Sequence, residues 1–117
     1  MSRLRELDVD SVGAFLHACY GHVRRNVELG PVFEAGVSDW DVFIATMTRF
    51  WCEVLLEGRV ELAEVPAFLR FGFTRSNLAR WLKLWSATAE AVFAPVEAER
   101  VRAAAYAVVP SAAGLAV

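Results

Sequence analysis

Bulky apolar residues recur along this chain at helical spacing, and they never alternate with a period of two. In "WDVFIATMTRFW", Trp40, Phe43, Met47, Phe50, Trp51 and, just beyond, Val54 fall on one face of a helix. Val12, Phe15, Leu16, Cys19, Tyr20, Val23 and Val27 form a similar stripe earlier, and Leu78, Trp81, Leu82, Trp85, Ala89 and Val92 form one later. Such a pattern excludes a sheet protein and predicts an all-α domain with four main helices and short turns.

Gly and Pro fall mostly between these periodic segments and set the expected boundaries. Asp10 or Ser11 is the expected cap of the first helix, and Gly30-Pro31 its expected end. "PVFEAG" then reads as a short turn or a single helical turn with Val32 and Phe33 facing inward. Ser38 or Asp39 caps the second main helix and Gly58 stops it. A short helix is expected around Leu62 to Leu69, with Pro66 limiting its regularity. Thr74 caps the third main helix, which Pro95 breaks. The fourth runs from about Val96 to Val109, where Pro110 ends it. The whole chain, 1–117, reads as one domain, with a loose tail from about 110 to 117.

Composition narrows the function classes. Apolar residues make up 56% of the chain, above the roughly 45–50% of ordinary domains, which suits a large core plus a pocket or an interface. A net charge of −2 gives no basic field for nucleic acid. No apolar run reaches the roughly 18–20 residues of a membrane span, and the charged start lacks a signal core, so the expectation is a soluble cytoplasmic protein. Cys19 and Cys52 are too few for a disulfide framework and read as ordinary reduced thiols.

The segment "YGHVRRNVELGPVFEAGVSDWDVFIATMTRFWCEVLLEG", followed later by "RWLKLW", resembles the group III truncated haemoglobins. The order "LGPVF", "DW", "FW", "WL" carries the resemblance, which spans about Val12 to Val108. It implies a truncated globin fold, a two-over-two helical sandwich around a haem. In that family a histidine holds the haem iron from the proximal side, leaving the other face for a diatomic gas. Here the proximal place reads "VPAFLRF", and the alignment sets Phe68 at the histidine. Phe43 stands where many relatives carry a distal histidine. The conclusion does not depend on alignment: the only histidines are His17 and His22, both on the first helix. Tyr20 and Trp81 match the family's oxygen-bonding tyrosine and pocket tryptophan. The resemblance therefore implies a former haem site lined by Tyr20, Phe33, Phe43, Met47, Phe50, Phe68 and Trp81.

His17 and His22 are turned about 140° apart on a helix and cannot chelate one metal together. Tyr20 reads as a core tyrosine with a locally satisfied hydroxyl, as a pocket donor, or as a phenolate ligand to ferric iron. Met47 reads as core filler or as a thioether ligand. These two are the only candidates for metal ligation. Cys52 falls on the outer side of its helix and Cys19 on the inner side. Arg24, Arg25, Arg49, Arg70, Arg75 and Arg80 read as surface arginines, with Arg70 the best candidate partner for an acidic group. No catalytic constellation stands out. The expected function is a globin-like protein without histidine-ligated haem, serving as an accessory or interaction subunit, as a homodimer or with a protein partner, or binding an apolar small ligand. The alternative is an atypical haem protein that handles O₂ or NO with non-histidine ligation.

Overall fold

The computed structural model of the chain describes residues 4–59, 65–67 and 73–115. Among them are five helices and no strand: α1 (Val9–Arg25), α2 (Leu29–Gly36), α3 (Trp40–Glu57), α4 (Arg75–Val92) and α5 (Pro95–Ala112). The expected all-α class and four main helices are present. No described helix is long and apolar enough to cross a membrane.

The helix ends show which local signals prevail. α1 starts earlier than expected, because Asp8 rather than Asp10 or Ser11 is its cap. The Ser11 N–H donates to Asp8 Oδ1 at 2.7 Å and the Asp8 N–H donates back to Ser11 Oγ at 2.9 Å, a reciprocal capping box. α1 also ends earlier, at Arg25, and leaves Val27, expected on its buried stripe, 88% exposed. Asn26 causes the break. Its Oδ1 accepts from the N–H groups of Glu28 and Leu29, both at 2.9 Å, and so turns the chain into α2. Gly30-Pro31 consequently lies inside α2 instead of ending α1. Proline is tolerated in a first turn, where its missing N–H would have no partner anyway.

Asp39 caps α3, accepting from the N–H groups of Asp41 and Val42 at 3.0 and 3.2 Å, and Gly58 ends it with φ +68°. Thr74 caps α4, as its Oγ1 accepts from the Asn77 N–H at 3.2 Å. Pro95 opens α5 at its first position. Pro110 does not stop α5 as expected. Its missing donor affects one bond, while the Ala113 N–H still reaches the Val109 carbonyl at 2.9 Å. Gly114, at φ +71°, follows the end of the helix, and the Leu115 N–H returns to the Pro110 carbonyl at 2.8 Å.

α1 is the central helix, packing on α2, α3 and α4; α4 packs on α5, and α3 also reaches α5. The chain start is tied down beside the α4–α5 junction. There the Arg5 N–H donates to the Val92 carbonyl at 2.8 Å and the Ala94 N–H donates to the Arg5 carbonyl at 3.0 Å. The core is one cluster fed by every helix, with Trp51, Trp81, Trp85, Tyr20, Phe15, Phe33 and Phe93 its largest fully buried side chains.

Candidate functional site

The helical stripes converge on an interior of rings. Tyr20 of α1 lies 5.8 Å from Phe33 of α2 and 5.1 Å from Phe43 of α3, centroid to centroid, the second contact edge-on. Phe33 reaches Phe73 at 6.0 Å, and Phe73 reaches Trp81 of α4 at 5.5 Å. The series continues through Trp81–Trp85 at 4.8 Å and Trp85–Trp51 at 4.6 Å to Phe50, 5.0 Å from Trp51. Met47 is buried in the same cluster. Tyr20, Phe33, Phe43, Met47, Phe50 and Trp81 are therefore brought into one connected core. Phe68 and Arg70 lie outside the described residues.

The unpartnered polar groups of this interior each carry a donor hydrogen, and the Tyr20 oxygen can also accept. Tyr20 Oη and the Nε1 atoms of Trp40, Trp51 and Trp81 are buried, and none has a hydrogen-bond partner. Trp85 shows the contrast: its Nε1–H donates to the Val101 carbonyl of α5 at 2.9 Å. The reading of Tyr20 as locally satisfied is thus corrected, because packing that buries the ring completely brings no acceptor to its hydroxyl. The Trp81 indole is near enough to favour the phenolate slightly, but the pair does not reach hydrogen-bond geometry. Burial dominates, helped by Cys19, and pushes the Tyr20 hydroxyl well above its ordinary 10.0. In the ligand-free protein it is a neutral phenol, able to donate a hydrogen bond.

The other ligand candidates are distributed as follows. His17 and His22 are exposed on α1, with His22 Nδ1 3.3 Å from an Arg25 nitrogen. Burial pushes the Cys19 thiol up to about 12, against a smaller opposing effect from Thr88. Cys52 is half-buried on the outer side of α3, and burial with nearby Glu57 raises its thiol too. No group of three or more His, Cys, Asp or Glu side chains among the described residues is placed to hold a metal ion. Met47 is a neutral soft donor, buried on the inner face of α3. These residues do not fit a histidine-ligated haem.

The arginines serve the rim. Arg24 stacks over the Trp40 ring at 4.4 Å and pairs with Glu34 at 3.3 Å, and Arg80 pairs with Glu28. Arg75 donates to the Leu115 carbonyl at 3.2 Å.

Phe73, Trp40 and Trp51 belong to the site through ring contacts or unpartnered donors, although the resemblance does not place them among the residues lining the former haem site. Phe73 has a signal in the sequence, since it is the aromatic just before the Thr74 cap, where a side chain fixes the entry to a helix. No signal in the sequence shows which indole N–H finds an acceptor. No family model, curated protein or solved structure matches the chain.

Proposed function

We propose that this chain is a truncated-globin-like protein, two helix pairs crossed over one another, that has lost histidine-ligated haem. Its aromatic interior holds an apolar small ligand that bears a hydrogen-bond acceptor. The packing of α1 with α3 and of α4 with α5, joined by α1–α4 and α3–α5 contacts, supports the two-over-two arrangement. The observation that carries the ligand reading is the set of buried donors without an acceptor: Tyr20 Oη and the indoles of Trp40, Trp51 and Trp81. Native interiors rarely leave such groups unpaired, and an acceptor arriving from outside would satisfy them. Neither a cation nor a ligand rich in donors suits this interior.

The alternative, haem with non-histidine ligation, would draw on buried Met47 or on Tyr20, whose phenol would have to ionise against its burial. Two titrations of the purified protein decide between them. In the first, hemin is followed by its Soret band. In the second, a medium-chain aliphatic ketone and the alkane of equal length are followed by tryptophan fluorescence. The proposal expects no sharp stoichiometric Soret band. It also expects saturable binding of the ketone, about tenfold tighter than the alkane and weakened in Tyr20→Phe or Trp81→Phe. A sharp Soret band abolished by Met47→Ala or by Tyr20→Phe establishes the alternative. Failure of both hemin and ketone to bind overturns the pocket reading.

A further inference from the structure

A second surface, on the outside of the molecule and independent of the aromatic interior, lies along the seam between α1 and α3. There Val9, Gly13 and His17 of α1 face Asp41, Ala45, Thr48 and Cys52 of α3 across a groove of about 630 Å³. The floor is small-sided. A Cβ added to Gly13 would meet only the Thr48 methyl, at 4.0 Å, so the two helices leave the seam open to close approach. Apolar side chains flank it. Val9 is 62% exposed, and Val42 and Leu56, 60% and 39% exposed, project from the same arc of α3 at 100° per residue. Three of the large apolar residues left exposed are therefore gathered on this face.

The edge carries charge of mainly one sign. Asp41, Glu53 and Glu57 line the groove with Arg49 as the one arginine. Among the described residues none of the three carboxylates has an ion-pair partner. A second copy of this chain is a poor occupant. Two such faces brought together about a two-fold axis would each bring the same excess of negative charge. Four of the chain's twelve cations, Arg24, Arg80, Arg100 and Arg102, are each held by a glutamate of the same chain.

We infer that this seam docks a basic amphipathic helix of a partner protein. Its apolar stripe lies over Gly13, Ala45 and Thr48, and its lysines or arginines reach Asp41, Glu53 and Glu57. The lined stretch of α3, Asp41 to Glu57, spans about 24 Å at the helical rise, room for about four turns of such a helix.

The test uses the full chain, isotope-labelled for amide NMR, and two synthetic helical peptides of about 16 residues. Both carry the same Leu/Ala stripe; one is flanked by Lys and the other by Glu. The Lys peptide is expected to shift amides at Gly13, Ala45, Thr48 and Cys52. It should bind at least about tenfold tighter than the Glu peptide, and the preference should fall as salt rises. The exposed double variant Glu53→Lys/Glu57→Lys should reverse the preference, while Gly13→Leu should block both peptides by filling the floor. Circular dichroism checks that each variant is folded. Equal binding of both peptides overturns the inference, as do shifts centred elsewhere or a preference unchanged in the double variant. A concentration-dependent dimer in sedimentation that Gly13→Leu abolishes also overturns it, by giving the seam to a second copy.

Discussion

Replacing Tyr20 by Phe should stabilise the ligand-free protein, the opposite of what removing a buried polar group usually does. The ring is fully buried, so Phe keeps its contacts with Phe33 and Phe43, at 5.8 and 5.1 Å. Only the hydroxyl is lost, and it has no partner. Burying a hydroxyl unpaired costs about 1–3 kcal/mol, which the substitution would return. For 117 residues the unfolding entropy is about 0.25 kcal/mol per kelvin, so each kcal/mol moves Tm by about 4 °C. The expected rise is therefore about 4–12 °C. Urea unfolding followed by far-ultraviolet circular dichroism gives the free energy, and an unchanged m-value shows that the folded state is the same. A destabilisation of about 1 kcal/mol or more would refute the reasoning. It would mean that the hydroxyl is paired in the free protein, and the set of unpaired donors would lose its leading member.

Three further substitutions or conditions probe the same structure. Gly30→Ala places a Cβ 2.8 Å from the Arg24 carbonyl oxygen, a backbone atom that cannot step aside, and should cost about 1–3 kcal/mol in urea unfolding. Trp85→Phe should cost about 1 kcal/mol more than Trp81→Phe, because only the Trp85 indole donates a hydrogen bond, to Val101 at 2.9 Å. Stability should also fall in alkali. The Cys19 thiol titrates near its ordinary 9.0 when unfolded and at about 12 when folded, so between these values the unfolded state releases the proton first. Its contribution is full below pH 9 and is lost toward pH 12, with a slope of about 1.4 kcal/mol per pH unit. In urea unfolding at a series of pH values from about 8 to 10.5, Cys19→Ala should remove this share of the slope and leave those of Cys52 and, near pH 10, Tyr20.

The helical stripes were legible because burial imposes their period directly. Met47, Phe50, Trp51 and Val54 of α3 and Leu78, Trp81, Leu82, Trp85 and Ala89 of α4 are all buried on the expected faces. Caps with few candidates were legible too: Thr74 alone for α4, and Ser38 or Asp39 for α3, where Asp39 takes the place. Where local signals compete, reading from sequence fails. Asp8, Asp10 and Ser11 are all able to cap α1, and the choice falls to the pair that can bond reciprocally. Gly30-Pro31 looks like a terminator, yet Asn26 had already turned the chain, and a proline in a first turn is harmless. At the other end Pro110 sits late enough in α5 for the carbonyl bonds beyond it to form. For the site, residue type was legible and pairing was not. Four tryptophans look alike in sequence, but only the packing of α4 on α5 gives Trp85 a carbonyl that the other three lack.

That difference bears on how stability and function are linked in this chain. Each unpaired buried donor weakens the fold by about 1–3 kcal/mol, and a small domain has only about 5–15 kcal/mol in total. Four such groups, at Tyr20, Trp40, Trp51 and Trp81, are thus a substantial fraction of what holds the protein together. An interior selected for packing alone would favour Phe at these places, which keeps a large apolar ring and carries no donor. The same groups become favourable once an acceptor reaches them, and a ligand that binds only the folded state adds its binding free energy to stability. A ketone that satisfies Tyr20 and Trp81 should therefore raise Tm in proportion to the logarithm of its concentration. An alkane of the same length, which offers the rings contact and the donors nothing, should raise it much less.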